Sequence, residues 1–298
     1  PPPPPPPPPH TVFLLRIRRP PRSTLDRSSA ASDVYKRQVL DQLANELTKV
    51  APAEKVRTIG RRSFDELKEQ GLVEIVETAK LSYDAGAEAI HFHIRDENGL
   101  HVLDFKKCSE AILKLNLKVP KMHLQVTTEA IKKYSPAEMR EYAYSVSPPG
   151  ISIAVRELLP TRTVTDEDIK LYKYLFKNNT KVQHICHEPE DIDLLSEILE
   201  KADIEKNGTW CLFVIGHYTG KISDPKKISL FIERLKQNEF YADWAVCAFS
   251  KEEISCLKTA IKLGGKIRVG FENSFLMPDG SVAPNNETKV KAANNLFD

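Results

Sequence analysis

Two histidines two residues apart, His91 and His93, stand inside the apolar run "AEAIHFHIRDENG", with Arg95 and Asp96 directly after them. In an extended strand residues i and i+2 point the same way, so both imidazoles share a face while Phe92 and Ile94 pack behind. Buried imidazoles need partners. Two on one face can close on a single cation, at about 2.0–2.1 Å from each nitrogen when the ion is zinc. Far along the chain, "KIRVGFEN" places Arg268, Gly270 and Glu272 on one face by the same parity. His91, His93 and Glu272 together would supply three ligands and leave a fourth position open, the pattern of catalytic rather than structural zinc. Plainer readings apply elsewhere: His101 and His123 as hydrogen-bonded core residues, and Glu272, taken alone, as an ion-pair partner of Arg268.

For these residues to meet, the fold must bring distant strands to a common end. Short apolar, β-branched runs recur about every thirty residues, at 88–94, 121–126, 150–155, 181–186, 211–216, 244–249 and 266–271. Between them lie stretches with helical period, such as "SPAEMREYAYSV", where Ser135 begins a capping pattern, "DEDIKLYKYLF" and "SKEEISCLKTAIKL". Such repeated βα units predict a (β/α)8 TIM barrel, which needs one more strand. The spacing places it in "LTKVAPAEKVRTIG" (47–60), with its helix in the "SFDELKEQGLVEIVETAKLSYDAG" that follows. A doubly wound open sheet is disfavoured by the even spacing and by the lack of a glycine-rich phosphate loop after the first strand.

Active sites of such barrels sit where the strands end. Reading only those ends adds Thr127, Thr128 and Glu129 after strand 3, and Arg156 and Glu157 after strand 4. His184 and His187 flank the end of strand 5, His217 and Tyr218 follow strand 6, Ser250 follows strand 7, and Asn273 follows Glu272. Arg156 is a candidate for substrate binding, with an ion pair to Glu157 as its ordinary alternative. The polar clustering at one end favours an enzyme over a passive scaffold.

The chain has 298 residues and no apolar run near the roughly 18 that a membrane span requires. Its first 38 residues hold nine consecutive prolines, an arginine-rich stretch and "PPRSTLDRSSAASDVYKRQ", and read as translated adaptor, out-of-frame sequence or a disordered tail. They are expected to add nothing to the core, leaving 39–298 as a single catalytic domain. They also hold seven basic and two acidic side chains, so the formal +2 of the whole becomes −3 for the remainder. Nothing in that balance points to nucleic acid. Five cysteines, 108, 186, 211, 247 and 256, are odd in number and unpaired by spacing, as in a reduced cytoplasmic protein.

The segments "GAEAIHFHIRDENGLHVLD", "LQVTTEA", "ISIAVRELLP" and "KIRVGFENSFLMPDGSVAPNN" resemble the beta-keto acid cleavage enzyme family over roughly residues 75–298. The resemblance implies a zinc-dependent barrel, expected as a homo-oligomer, in which a β-keto acid and acetyl-CoA exchange parts to give acetoacetate and a new acyl-CoA. It implies His91, His93 and Glu272 as metal ligands, Arg268 in the catalytic machinery, and Thr127 and Thr128 in contact with substrate. Where the family commonly has an aspartate after the ligand glutamate, this chain has Asn273, which is grouped with Arg268 as a catalytic position. Where many members have a glycine pair after the strand 3 threonines, it has Glu129 and Ala130. Two rivals remain: a hydrolase of the amidohydrolase type, which would recruit His184 and His217, and a non-catalytic metal-binding barrel.

Overall fold

In the computed structural model, which describes residues 12–15, 64–96, 100–217 and 222–297, eight parallel strands close a barrel in the order of the sequence. They are β1 (Val12–Leu15), β2 (Ala89–Phe92), β3 (His123–Thr127), β4 (Gly150–Ala154), β5 (Lys181–Cys186), β6 (Trp210–Ile215), β7 (Asp243–Ala248) and β8 (Lys266–Val269). Strands covered on both faces read as continuous apolar runs, and β2 and β4 are buried along their whole length. The seven runs seen in the sequence all become strands close to their expected positions.

The first strand is a correction. The sequence reading places it in 47–60, which lies outside the described residues. The barrel is instead closed by Val12–Leu15, from the stretch expected to add nothing to the fold. Val-Phe-Leu-Leu is short, apolar and suited to a strand in a parallel sheet. Flanks of proline and arginine, with the composition of disordered chain, mask it in the sequence. Its place has a consequence for the site. Leu15 lies opposite His91 on β2, and Phe13 lies opposite Arg268 on β8. This one strand therefore joins the strand of the paired histidines to the strand of the arginine.

Helices alternate with the strands. The first, α1 (Phe64–Asp84), falls where the sequence places a helix before β2. Next are α2 (Phe105–Lys118), α3 (Pro136–Val146), the short α4 (Val155–Leu158), α5 (Asp166–Lys177), α6 (Asp191–Ala202), α7 (Lys227–Gln237), α8 (Glu253–Lys262) and α9 (Asn286–Asn294). Ser135 and Glu138 form the reciprocal cap foreseen for α3, and Thr165 and Asp168 form another on α5. The main apolar core lies between barrel and helices. A smaller cluster of Leu212, Val214, Ala245, Cys247 and Phe249 fills the interior beside β6 and β7. Register puts His91 level with Gln125, Thr127 with Ser152, and Ser152 with Gln183. The half of the interior under β2 to β5 is thus buried yet polar, and it adjoins Arg268.

A buried ion pair fixes the segment that follows the site. Lys289 on α9 donates to Glu253 at 2.6 Å and to the Leu276 carbonyl at 3.0 Å. Burial pushes the Glu253 carboxyl up to about 7 even beside the lysine. Removing one partner of a buried pair leaves an uncompensated charge, so Lys289→Met should cost about 3–5 kcal/mol at pH 8. The loss should shrink at pH 5, where Glu253 takes up a proton. Urea denaturation at the two pH values checks this.

Candidate metal centre

His91 and His93 leave the end of β2 with 2% and 4% exposure. His91 Nδ1 lies 2.7 Å from Gln125 Oε1, and an amide oxygen only accepts, so the proton sits on Nδ1 and the Nε2 lone pair faces inward. The two Nε2 atoms are 3.0 Å apart. Glu272 Oε2 stands 3.8 Å from His91 Nε2 and 3.6 Å from His93 Nε2. A circle through these three atoms has a radius of about 2.0 Å, the distance zinc keeps from imidazole and carboxylate ligands. The donor set fits that ion in both spacing and chemistry.

Glu272 reaches this point because the chain turns sharply after β8. Gly270 has φ +145°, a conformation that side-chain-bearing residues rarely adopt, and its carbonyl accepts the N–H groups of Asn273 and Ser274. Burial alone would raise the Glu272 carboxyl. Arg268 and the two imidazoles outweigh it and hold the group well below the usual carboxylate range, so it is ionised at neutral pH. Arg268 Nη2 lies 3.7 Å from Glu272 Oε1 and 3.7 Å from Cys247 Sγ. Its Nε and Nη1 are buried with no hydrogen-bond partner among the described residues.

Thr127 and Thr128 are buried beside the histidines. Thr127 Oγ1 accepts the Glu129 N–H at 3.1 Å, and Thr128 donates to the Ser152 carbonyl at 3.1 Å. Thr127 therefore keeps its own hydroxyl hydrogen available, whereas that of Thr128 is engaged. Arg156 pairs with Asp191 rather than with Glu157. Its Nε and Nη2 donate to the two oxygens of that fully buried carboxylate, each at 3.0 Å. Asp191 can also accept the His187 and Glu188 N–H groups because it opens α6, whereas Glu157 points back to accept the Ala130 N–H. Asn273 is buried, and neither atom of its amide has a partner among the described residues.

The remaining histidines divide. His101 is buried as expected, with Nε2 donating to the Glu129 carbonyl at 3.1 Å. His123 is exposed, a correction explained by its place at the start of β3, on the barrel end away from the site. Among the described residues the clusters able to hold a metal are His91, His93 and Glu272, and His93, His101 and Glu129. His184 and His217 belong to neither. Tyr218 lies outside the described residues. Sequence reasoning missed Gln125 and Asp191. Register with His91 was a usable signal for Gln125, but nothing local marked Asp191.

His184 points away from the barrel axis. It stacks on Tyr172 at 5.6 Å and donates Nδ1–H to the Trp210 carbonyl at 3.1 Å. Burial pulls its pKa from 6.5 down to about 4. Between those values the unfolded chain binds a proton that the folded one refuses, so stability falls as pH falls through that window, by roughly 3 kcal/mol for this residue. His184→Gln, which keeps a donor but does not titrate, should flatten the dependence of the urea midpoint on pH between 6.5 and 4. An unchanged slope would count against the assignment.

The sequence pattern of the family described as beta-keto acid cleavage enzyme matches residues 71–298. A 3-keto-5-aminohexanoate cleavage enzyme from Acetoanaerobium sticklandii is 26% identical over 73% of this chain and 80% of its own. A 3-oxoadipate:acetyl-CoA acetyltransferase from Cupriavidus necator is 23% identical over 73% and 77%. Among solved structures, the binary complex of ObcA with oxaloacetate superposes with a TM-score of 0.59 at 12% identity. That superposition covers 75% of this chain and 62% of the other, and it supports the barrel fold alone.

Proposed function

The chain belongs to the beta-keto acid cleavage enzyme family, and from that premise we propose that it binds zinc through His91, His93 and Glu272 and exchanges acyl groups between a β-keto acid and acetyl-CoA. It is accordingly an enzyme of carbon–carbon bond cleavage and acyl transfer. In the proposed reaction the bond between C2 and C3 of the keto acid and the thioester of acetyl-CoA break. The acetyl group joins the two-carbon carboxylate fragment as acetoacetate, and the remaining acyl group takes the CoA sulfur. The observation that carries this reading is the meeting of three metal-type donors with a buried arginine in the polar half of the barrel.

Zinc, when bound, supplies a Lewis acid for the keto oxygen and lowers the cost of the carbanion charge that C–C cleavage creates. The protein's own groups do the rest. Arg268 keeps Glu272 ionised and offers its remaining donors to the substrate carboxylate, whose planar geometry a guanidinium matches. Thr127 donates its hydroxyl to the keto acid. Asn273 contributes an NH2 group that donates and a carbonyl oxygen that accepts, holding substrate where a carboxylate would also move a proton. Arg156, locked on Asp191 but partly exposed, keeps further N–H groups for an anionic part of the substrates.

Five free, buried thiols suit a reducing cytoplasmic setting. Among the described residues no helix is long and apolar enough to cross a membrane. The proposal includes 39–298 acting as one catalytic domain with β1 joined to it, assembled as a homo-oligomer. Metal analysis of the purified protein, with acyl-CoA release measured across a panel of β-keto acids plus acetyl-CoA, tests the function. About one zinc per chain and release with at least one acid is the expected result.

A further inference from the structure

Resting on the metal reading above, we propose that Glu129 is a positioning residue whose carboxylate faces the Nδ1–H of His93 and so aims His93 Nε2 at the metal. Glu129 Oε2 lies 3.3 Å from His93 Nδ1. The contact is an ion pair outside hydrogen-bond geometry, and because an ionised carboxylate only accepts, it favours the tautomer protonated on Nδ1. That tautomer leaves a lone pair on Nε2, the atom 3.0 Å from His91 Nε2 and 3.6 Å from Glu272 Oε2. Gln125 performs the same service for His91 at 2.7 Å. The two ligands thus differ in their outer partners. A neutral amide orients one imidazole, and a carboxylate, which strengthens the donor, orients the other.

The loop bearing Glu129 is fixed by the protein's own groups. Its N–H donates to Thr127 Oγ1, its carbonyl accepts His101 Nε2–H, and the next N–H, of Ala130, donates to Glu157 Oε2 at 3.0 Å. His101 also packs edge-on against the His93 ring, with centroids 4.8 Å apart. The hydrogen bonds arise from β3, α4 and the loop before α2, so the backbone that carries Glu129 is held from several sides.

The same atoms suggest a rival use, because His93, His101 and Glu129 offer ligand atoms within 4.8 Å of one another. Serving two ions at once would strip both ring protons from His93. Positioning is the simpler use. Zinc affinity measured by chelator competition, with stoichiometry and the visible spectrum of the cobalt(II) form, decides between them. Glu129→Ala should weaken zinc binding about 10–100-fold and shift the cobalt bands. One site per chain should remain at saturation, and the melting temperature of the metal-free protein should not change. Glu129→Gln, which keeps a neutral acceptor, should lose less. Equal affinity in all three proteins, or a fall matched by lost metal-free stability, overturns the positioning role. Two zincs in the wild type and one in the variants overturns it in favour of a second site. A wild type that binds no zinc overturns the metal reading on which it rests.

Discussion

His91→Ala is expected to abolish zinc binding and bring acyl-CoA formation to background together. The residue supplies one of three donors lying 3.0–3.8 Å apart, and two ligands do not hold the ion at the concentrations three do. Losing the Lewis acid removes several kcal/mol of charge stabilisation from the carbanion, about 10³-fold or more in rate. The fold should survive, because the imidazole lies in the polar half of the barrel, where its neighbours Gln125, His93 and Glu272 are all polar. Metal content and melting temperature measured on the same preparation separate these effects. Zinc retained at full stoichiometry would remove His91 from the ligand set.

Arg268→Lys should keep the metal and lose turnover steeply, by roughly 10²-fold or more, the range that removal of one transition-state contact costs. An ammonium sustains the charge beside Glu272 but cannot reproduce a fixed fork of donors. Two of those donors, Nε and Nη1, are buried and unpartnered among the described residues, as expected of a group that awaits an anion. Asn273→Asp tests the neighbouring position from the other direction. If the missing carboxylate limits proton transfer, restoring it should raise kcat with zinc content unchanged. A kcat that does not move would assign Asn273 to binding alone.

Much of the fold and of the metal-type cluster is legible in the sequence. Seven strands followed from β-branched runs at even spacing, and strand parity alone put His91, His93, Arg268 and Glu272 inside the barrel. Apart from His123, two misreadings have separate physical causes. Val12–Leu15 is only four residues long, and its neighbours carry the composition of unfolded chain, so no local signal announces a strand. Only closure of the barrel gives it a role. Arg156 looked like a partner for the adjacent Glu157, but the short helix Val155–Leu158 turns the two side chains apart, and a carboxylate 35 positions later takes the arginine. Ion pairs of that kind depend on tertiary approach, which periodicity does not encode. The outer partners Gln125 and Glu129 fall between these cases: one is implied by register, the other depends on how a loop folds.

In the proposed reaction this site moves an acetyl group from CoA to the two-carbon fragment of a β-keto acid. Acetyl-CoA labelled with carbon-13 in its acetyl group, incubated with zinc-loaded protein and a panel of β-keto acids, tests it by mass spectrometry. The expected product is acetoacetate labelled in one half, formed mole for mole with an unlabelled acyl-CoA. Protein that binds its zinc yet yields no labelled acetoacetate from any β-keto acid, before or after Asn273→Asp, would contradict it.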